Sequence, residues 1–218
     1  MSAERLEMKK IVILISGRGS NMEAMLAARL PLQIAAVISN RPDAMGLDTA
    51  RQAGIDARAL DHKAFDSREA FDAALVELID AYAPDLVVLA GFMRILTPVF
   101  VTHYEGRLLN IHPSLLPAYP GLHTHQRALD DGIRIHGCTV HYVTAALDHG
   151  PVVIQAAVPV LPDDTEATLS ARVLKEEHQI YPQALRWFAE DRLRLEAGKV
   201  IVAAARTAGS MRMPELDA

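Results

Sequence analysis

Residues 11–30 read IVILISGRGSNMEAMLAARL, and the change of period within this stretch decides the fold. Residues 11–16 are a short apolar run rich in β-branched side chains, the pattern of a strand buried on both faces. Gly17 and Gly19 then break the run. Beyond them Met22, Met25 and Leu26 recur at helical spacing, which predicts a helix over 21–29. Ser20 precedes Glu23 by three residues, the spacing of a capping box, so Ser20 is the expected N-cap. Strand, glycine turn and helix follow one another without a spacer.

The same alternation continues along the chain. Strands are expected at 33–39 (QIAAVIS), 57–60 and 85–90 (DLVVLA), and at 108–112 (LLNIH), which runs into a proline-rich loop. Helices are expected at 46–53, 67–82 and 97–104, the second carrying Phe71, Leu75, Leu78, Ile79 and Tyr82 on one face. After a helix at 124–131, strands at 135–143 and 152–159 are joined by a turn at Asp148-His149-Gly150 and expected to pair antiparallel. A closing helix at 165–189 and a small hairpin at 192–202 with Gly198 near its turn complete the pattern. Strands apolar on both faces, alternating with helices, imply a doubly wound α/β fold. Its mostly parallel sheet is flanked by helices, and its carboxyl-terminal portion is antiparallel. A single domain is expected over 11–202, with an amino-terminal extension at 1–10 and a tail at 203–218.

With 218 residues, half of them hydrophobic, the chain can bury a full core. The net charge of −5 is scattered, and no basic block of the kind that grips nucleic acid is present. The one cysteine, Cys138, excludes an internal disulfide and a multi-cysteine zinc site. It fits a reducing compartment, so a cytoplasmic location is expected. No run approaches the ~20 apolar residues that span a bilayer, and the charged start lacks the apolar stretch of a signal peptide. No membrane association is expected.

Three features point to chemistry. Residues 17–21 (GRGSN) stand between strand and helix, where backbone amides and the helix N-terminus favour an anion. Met22 occupies the third glycine slot of a dinucleotide fingerprint and no P-loop lysine is present, so a phosphate fits better than a nucleotide cofactor. Taken alone, a turn kept for packing explains the glycines equally well. Asn110 and His112, two apart on a strand, share a face and supply an amide donor and a titratable ring at the strand's carboxyl end. Asp148 suits a turn on local grounds; a carboxylate close to His112 would favour the imidazolium, a good partner for a developing oxyanion. The His123-x-His125 pair, and His136 with His141, lack the spacing or cysteine partners of a zinc site.

Together these residues resemble the glycinamide ribonucleotide formyltransferase family of purine biosynthesis. The motifs are ISGRGSN (15–21), FDSREAFD (65–72), APDLVVLAGFMRIL (83–96), LLNIHPSLLPAYPGLHTH (108–125), LDHGPVVIQA (147–156) and EEHQIYP (176–182). Arg18 stands where the family often has Asn, and Ala118 where it often has a basic residue. The resemblance implies small-molecule substrates: 10-formyltetrahydrofolate as formyl donor, used as a co-substrate without a metal, and the amine of 5-phosphoribosylglycinamide as acceptor. It implies catalysis by Asn110, His112 and Asp148. Gly19, Ser20, Asn21 and Glu177 would bind the ribonucleotide; Arg68, Met93, Arg94, Ile95, Leu96 and Asn110 would bind the folate. A monomer or homodimer is expected.

Three competing readings share parts of this pattern. A methionyl-tRNA formyltransferase would add a further carboxyl-terminal domain and a basic face, and a formyltetrahydrofolate hydrolase an amino-terminal regulatory domain; neither pattern is expected here. A non-catalytic phosphate-binding module would not need the Asn110, His112 and Asp148 set.

Overall fold

Nine strands and six α-helices alternate as β1 (Lys10–Ile15), α1 (Ser20–Ala27), β2 (Gln33–Ser39), α2 (Met45–Gln52), β3 (Asp56–Ala59), α3 (Arg68–Asp80), β4 (Leu86–Leu89), α4 (Pro98–His103), β5 (Leu108–His112), α5 (Thr124–Asp130), β6 (Ile135–Tyr142), β7 (Val152–Pro159), α6 (Glu166–Ala189), β8 (Leu193–Glu196) and β9 (Lys199–Val202). These counts refer to residues 8–205, which the computed structural model describes. Residues 1–7 and 206–218, most of the expected extension and tail, lie outside them. Seven strands form one sheet in the order β3-β2-β1-β4-β5-β6-β7, and β8 and β9 form a separate antiparallel pair. No helix among the described residues is long and apolar enough to cross a membrane.

The chain divides into two compact units, one up to Leu109 and one from Asn110 onward. In the first, β1 pairs in parallel with β2 on one side and with β4 on the other, and β2 pairs with β3. Ile11 to Ile15 of β1 are fully buried, as two helix-covered faces require of a central parallel strand. Met22 and Met25 of α1 and Phe71, Leu75 and Ile79 of α3 supply the covering apolar faces. Because β2 and β4 lie on opposite sides of β1, the chain reverses its winding there and opens a crevice at the strands' carboxyl ends.

In the second unit β6 and β7 pair antiparallel, with the register slipping by one residue between Val140 and His141. Leu169, Val173, Tyr181 and Leu185 form the buried stripe of α6. Cys138 is buried on β6.

The helix starts follow side-chain caps at Ser67, Thr97 and Thr165. Ser20, the expected cap of α1, does not play this part. Gly19, left-handed at φ 78°, occupies the N-cap position, and no side chain caps α1. Ser20 is therefore already the first helical residue, one place too late for its hydroxyl to reach the third amide. A short 3-10 turn, His62–Ala64, is additional to the elements read from periodicity.

His125 and His136 do not form part of a cation cage. They face each other, His125 Nδ1 lying 3.2 Å from His136 Nε2 with the rings edge to face. Among the described residues no group of three or more His, Cys, Asp or Glu side chains is arranged to hold a metal ion. Burial, reinforced by His125, pushes the His136 imidazole down to about 4, and burial lowers His125 as well.

A Cβ at Gly137 on β6 would run into the Ala156 carbonyl on β7 and come within 2.9 Å of the Leu115 side chain. Gly137→Ala should therefore cost about 1–3 kcal/mol, read as a lowered denaturation midpoint. For His136, both states are neutral above pH 6.5, so the residue contributes no pH dependence there. Below that, the unfolded chain takes up a proton that the folded ring refuses, so stability falls until about pH 4, by on the order of 3 kcal/mol. Melting temperatures measured from pH 7 to pH 4 should decline over this window, and His136→Gln should flatten the decline.

Candidate active site

In the first unit the loops that follow β1 and β4 border a cavity of about 470 Å³ at the point where the winding reverses. Gly19, Ser20 and Asn21 line it together with Met93 and Arg94, so five of the residues singled out from sequence meet in one place. The two loops are tied by Ser16. Its hydroxyl donates to Asn40 Oδ1 at 2.6 Å and accepts the Met93 amide at 2.7 Å. Arg18, Arg41 and His62 also line the cavity and give it cationic or protonatable groups. His62 Nδ1 lies 2.8 Å from the Asn40 carbonyl, an oxygen that only accepts, so Nδ1 bears a proton and Nε2 is left as the ring's other polar atom. Backbone amides at a helix start combined with guanidinium groups suit a phosphate.

Asn40, Arg41 and His62 were not anticipated from sequence. The signal for the first was present: Ser39-Asn40 ends an otherwise apolar strand at its carboxyl end, where ligands of such sheets bind. His62 belongs to the 3-10 turn, which has no apolar period to reveal it.

The expected folate residues separate. Met93 and Ile95 are 70% and 62% exposed, which excludes a core role, and of the two only Met93 lines the cavity. Arg94 is half-buried with its guanidinium 4.6 Å over the Phe71 ring, rather than free in solvent. Leu96 is half-buried. Arg68 opens α3, where Ser67 Oγ accepts the Ala70 amide, and it is exposed and not among the cavity-lining residues.

The second unit holds the polar cluster. His112 Nε2 lies 2.9 Å from the Tyr119 carbonyl, so Nε2 carries a proton and Nδ1 is the nitrogen left for exchange. That Nδ1 is 3.6 Å from Asp148 Oδ2, and both side chains are more than nine-tenths buried. The same Asp148 oxygen accepts the Gly121 amide at 2.8 Å, tying the 144–150 turn to the loop after β5. Asp148 is left-handed at φ 53°, a conformation Asp tolerates better than most residues. Gly150 keeps the turn close, because a Cβ there would collide with the Tyr142 carbonyl. Asn110 Nδ2 lies 3.4 Å from His141 Nε2, a contact that sequence reasoning missed.

The loop itself is braced from below. Thr139 Oγ1 donates to the Ser114 carbonyl at 2.7 Å and accepts from the Leu116 amide and from Gln155 Nε2. Ser114 Oγ donates to the Ala118 carbonyl at 2.6 Å, with the Tyr119 carbonyl 3.1 Å away. Glu177 lies on α6 and is only 7% exposed, in contrast to the solvated helix carboxylate its sequence context suggests.

A buried imidazole with one nitrogen committed to backbone and the other facing a carboxylate can hold a proton beside a reacting carbonyl. An amide on the same strand can donate to the oxygen that develops charge. By itself the cavity of the first unit suits an anionic group.

Comparison with known proteins gives the family. The formyl transferase family profile matches residues 9–185. The phosphoribosylglycinamide formyltransferase of Escherichia coli (strain K12) is 58% identical over 189 residues, covering 85% of this chain and 89% of that protein. The solved structure of glycinamide ribonucleotide transformylase 1 from Symbiobacterium toebii is 50% identical with a TM-score of 0.89, over 93% of this chain and 97% of that one. A formyltetrahydrofolate deformylase from Pseudomonas syringae pv. tomato is more distant, at 28% identity and a TM-score of 0.83, and the match covers 66% of its chain. By these measures the chain belongs to the formyl transferase family, among the phosphoribosylglycinamide formyltransferases.

Proposed function

We propose that the protein transfers the formyl group of 10-formyltetrahydrofolate to the amine of 5-phosphoribosylglycinamide, a step of purine biosynthesis, in the cytoplasm and as a monomer or homodimer. The observation that carries the reading is the buried His112–Asp148 pair, with Asn110 on the same strand. The family profile runs unbroken through both compact units, which supports treating 11–202 as one formyltransferase domain. The cationic cavity supports Gly19, Ser20 and Asn21 as the phosphate-binding residues, and the family resemblance adds Glu177 as a ribonucleotide contact. Exposed Met93 and Ile95 fit a surface that a flat aromatic cofactor covers, and the family resemblance adds Arg68, Arg94, Leu96 and Asn110 as folate contacts.

On this reading the amine nitrogen attacks the formyl carbon directly, and the carbonyl oxygen becomes the anion of a tetrahedral intermediate. Asn110 donates a hydrogen bond to it, and the protonated His112 supplies positive charge beside it. His112 Nε2–H is committed to the Tyr119 carbonyl. In that protonated state the second proton sits on Nδ1, which faces Asp148 Oδ2 at 3.6 Å. Collapse of the intermediate breaks the bond from carbon to the folate nitrogen. The proton lost by the attacking amine is delivered to that leaving nitrogen, with Asp148 relaying it through water. Oxyanion stabilisation and proton transfer suffice; the steps use neither a metal ion nor a covalent enzyme intermediate.

Removing one such electrostatic contributor typically costs about 10²–10³ in turnover. His112→Ala and Asp148→Asn should each lose kcat by that order while keeping a near-normal melting temperature, and activity within threefold of the wild type in either would overturn the assignment. Formyl transfer followed by absorbance, in the presence of a chelator, should require both the 10-formyl folate and glycinamide ribonucleotide. Folate consumption without the acceptor would instead support a deformylase. Binding of the ribonucleotide with no turnover in any mixture would support a phosphate-binding module.

A further inference from the structure

His141 takes no part in the steps above, yet it is buried among the groups that do. It lies on β6, 1% exposed, at the place where the β6–β7 register slips. Register irregularities of this kind re-aim a side chain beside a functional site. Its Nδ1 is 3.0 Å from the Tyr142 carbonyl. Since a carbonyl oxygen only accepts, Nδ1 bears the ring's proton. Burial pushes this ring's pKa down, against weaker opposing pulls from the Tyr142 carbonyl and Asp148, so the ring is neutral near pH 7. A neutral ring protonated on Nδ1 presents a lone pair at Nε2.

That lone pair faces the side-chain amide of Asn110, 3.4 Å from Nδ2. An amide has two ends of similar shape and opposite polarity, and only one suits this neighbour. Turned by 180°, Asn110 would set its carbonyl oxygen against the ring lone pair, two acceptors with no proton between them. The backbone at Tyr142 thus decides the tautomer of His141, and the tautomer decides the orientation of Asn110.

We infer that His141 is a positioning residue, which fixes the Asn110 amide so that its second N–H is presented to the oxygen of the formyl group under transfer. The inference rests on the proposed role of Asn110 as donor to that oxygen. Without the ring, the amide divides its time between two orientations, one of which offers an acceptor where the developing anion needs a donor.

Two substitutions separate this from a merely structural role. In His141→Asn the shorter amide can replace Nδ1 as donor to the Tyr142 carbonyl but cannot reach Asn110. In His141→Gln the longer amide can offer its oxygen to Asn110 Nδ2. H141N should lower kcat about 10- to 100-fold with KM for both substrates within threefold, as expected for one misplaced buried hydrogen bond, and H141Q should recover most of the loss. In an Asn110→Ala background H141N should cost nothing further, because there is no amide left to orient. Independently of turnover, the Asn110 side-chain ¹⁵N–¹H₂ resonances should shift in H141N and return toward wild type in H141Q. Equal losses from H141N in the presence and absence of Asn110, unchanged Asn110 amide resonances in folded H141N, or no recovery in H141Q would overturn the inference. Should N110A itself retain wild-type kcat, the donor role of Asn110 fails instead, and the amide resonances still report whether His141 orients it.

Discussion

A backbone carbonyl can accept a hydrogen bond and cannot donate one, and two such oxygens set the polarity of the buried histidines of the second unit. The Tyr119 carbonyl holds Nε2–H of His112, and the Tyr142 carbonyl holds Nδ1–H of His141. Neither ring chooses its own tautomer. His112 is left with Nδ1 facing Asp148, and His141 with a bare Nε2 facing Asn110. The opposite outcomes on chemically identical side chains come from which nitrogen meets the main chain, so the placement of two peptide groups fixes the polarity of the cluster.

Those peptide groups are themselves held. Tyr119 has a left-handed backbone, φ 53°, which costs a non-glycine residue roughly 1–2 kcal/mol. Local hydrogen bonds offset it: Ser114 Oγ contacts both the Ala118 and Tyr119 carbonyls, and Thr139 and Gln155 fix the loop's start. Asp148 closes the other side through the Gly121 amide. The loop is irregular but its polar groups are extensively paired, which is how a segment without secondary structure keeps a donor or an acceptor in one place.

Much of the architecture was legible because periodicity is local. β2, β5 and β7 have the bounds expected from their apolar runs, and α3, α4 and α6 start just after Ser67, Thr97 and Thr165. Capping failed as a guide at Ser20, where the left-handed Gly19 took the position, a matter of one dihedral angle that side-chain spacing does not encode. Within the candidate site, Asn110 and His112 were legible as a pair because a strand puts alternate residues on one face. The approach of Asp148 was not, since it depends on a turn conformation and on contacts 27 and 36 residues back along the chain, at Gly121 and His112. His141 was hidden for a related reason. A histidine on an apolar strand looks the same in sequence whether it is a packed core group or a partner for an amide 31 residues away. The burial of Glu177 and the exposure of Met93 were likewise hidden, because residue type alone suggests the reverse for each.

The single cysteine has a practical corollary. Burial on β6 pushes the Cys138 thiol up to about 12, so at neutral pH almost none of it is the thiolate that reacts with alkylating agents or disulfides. Burial and the raised pKa both disfavour its reaction with thiol reagents. A cysteine introduced at an exposed position, such as Leu122 in the loop after β5 or Leu147 in the turn that bears Asp148, would be the only reactive sulfur among the described residues. Fluorophores or spin labels can then be attached to either segment in the otherwise native sequence, opening their motions to spectroscopy without first removing Cys138.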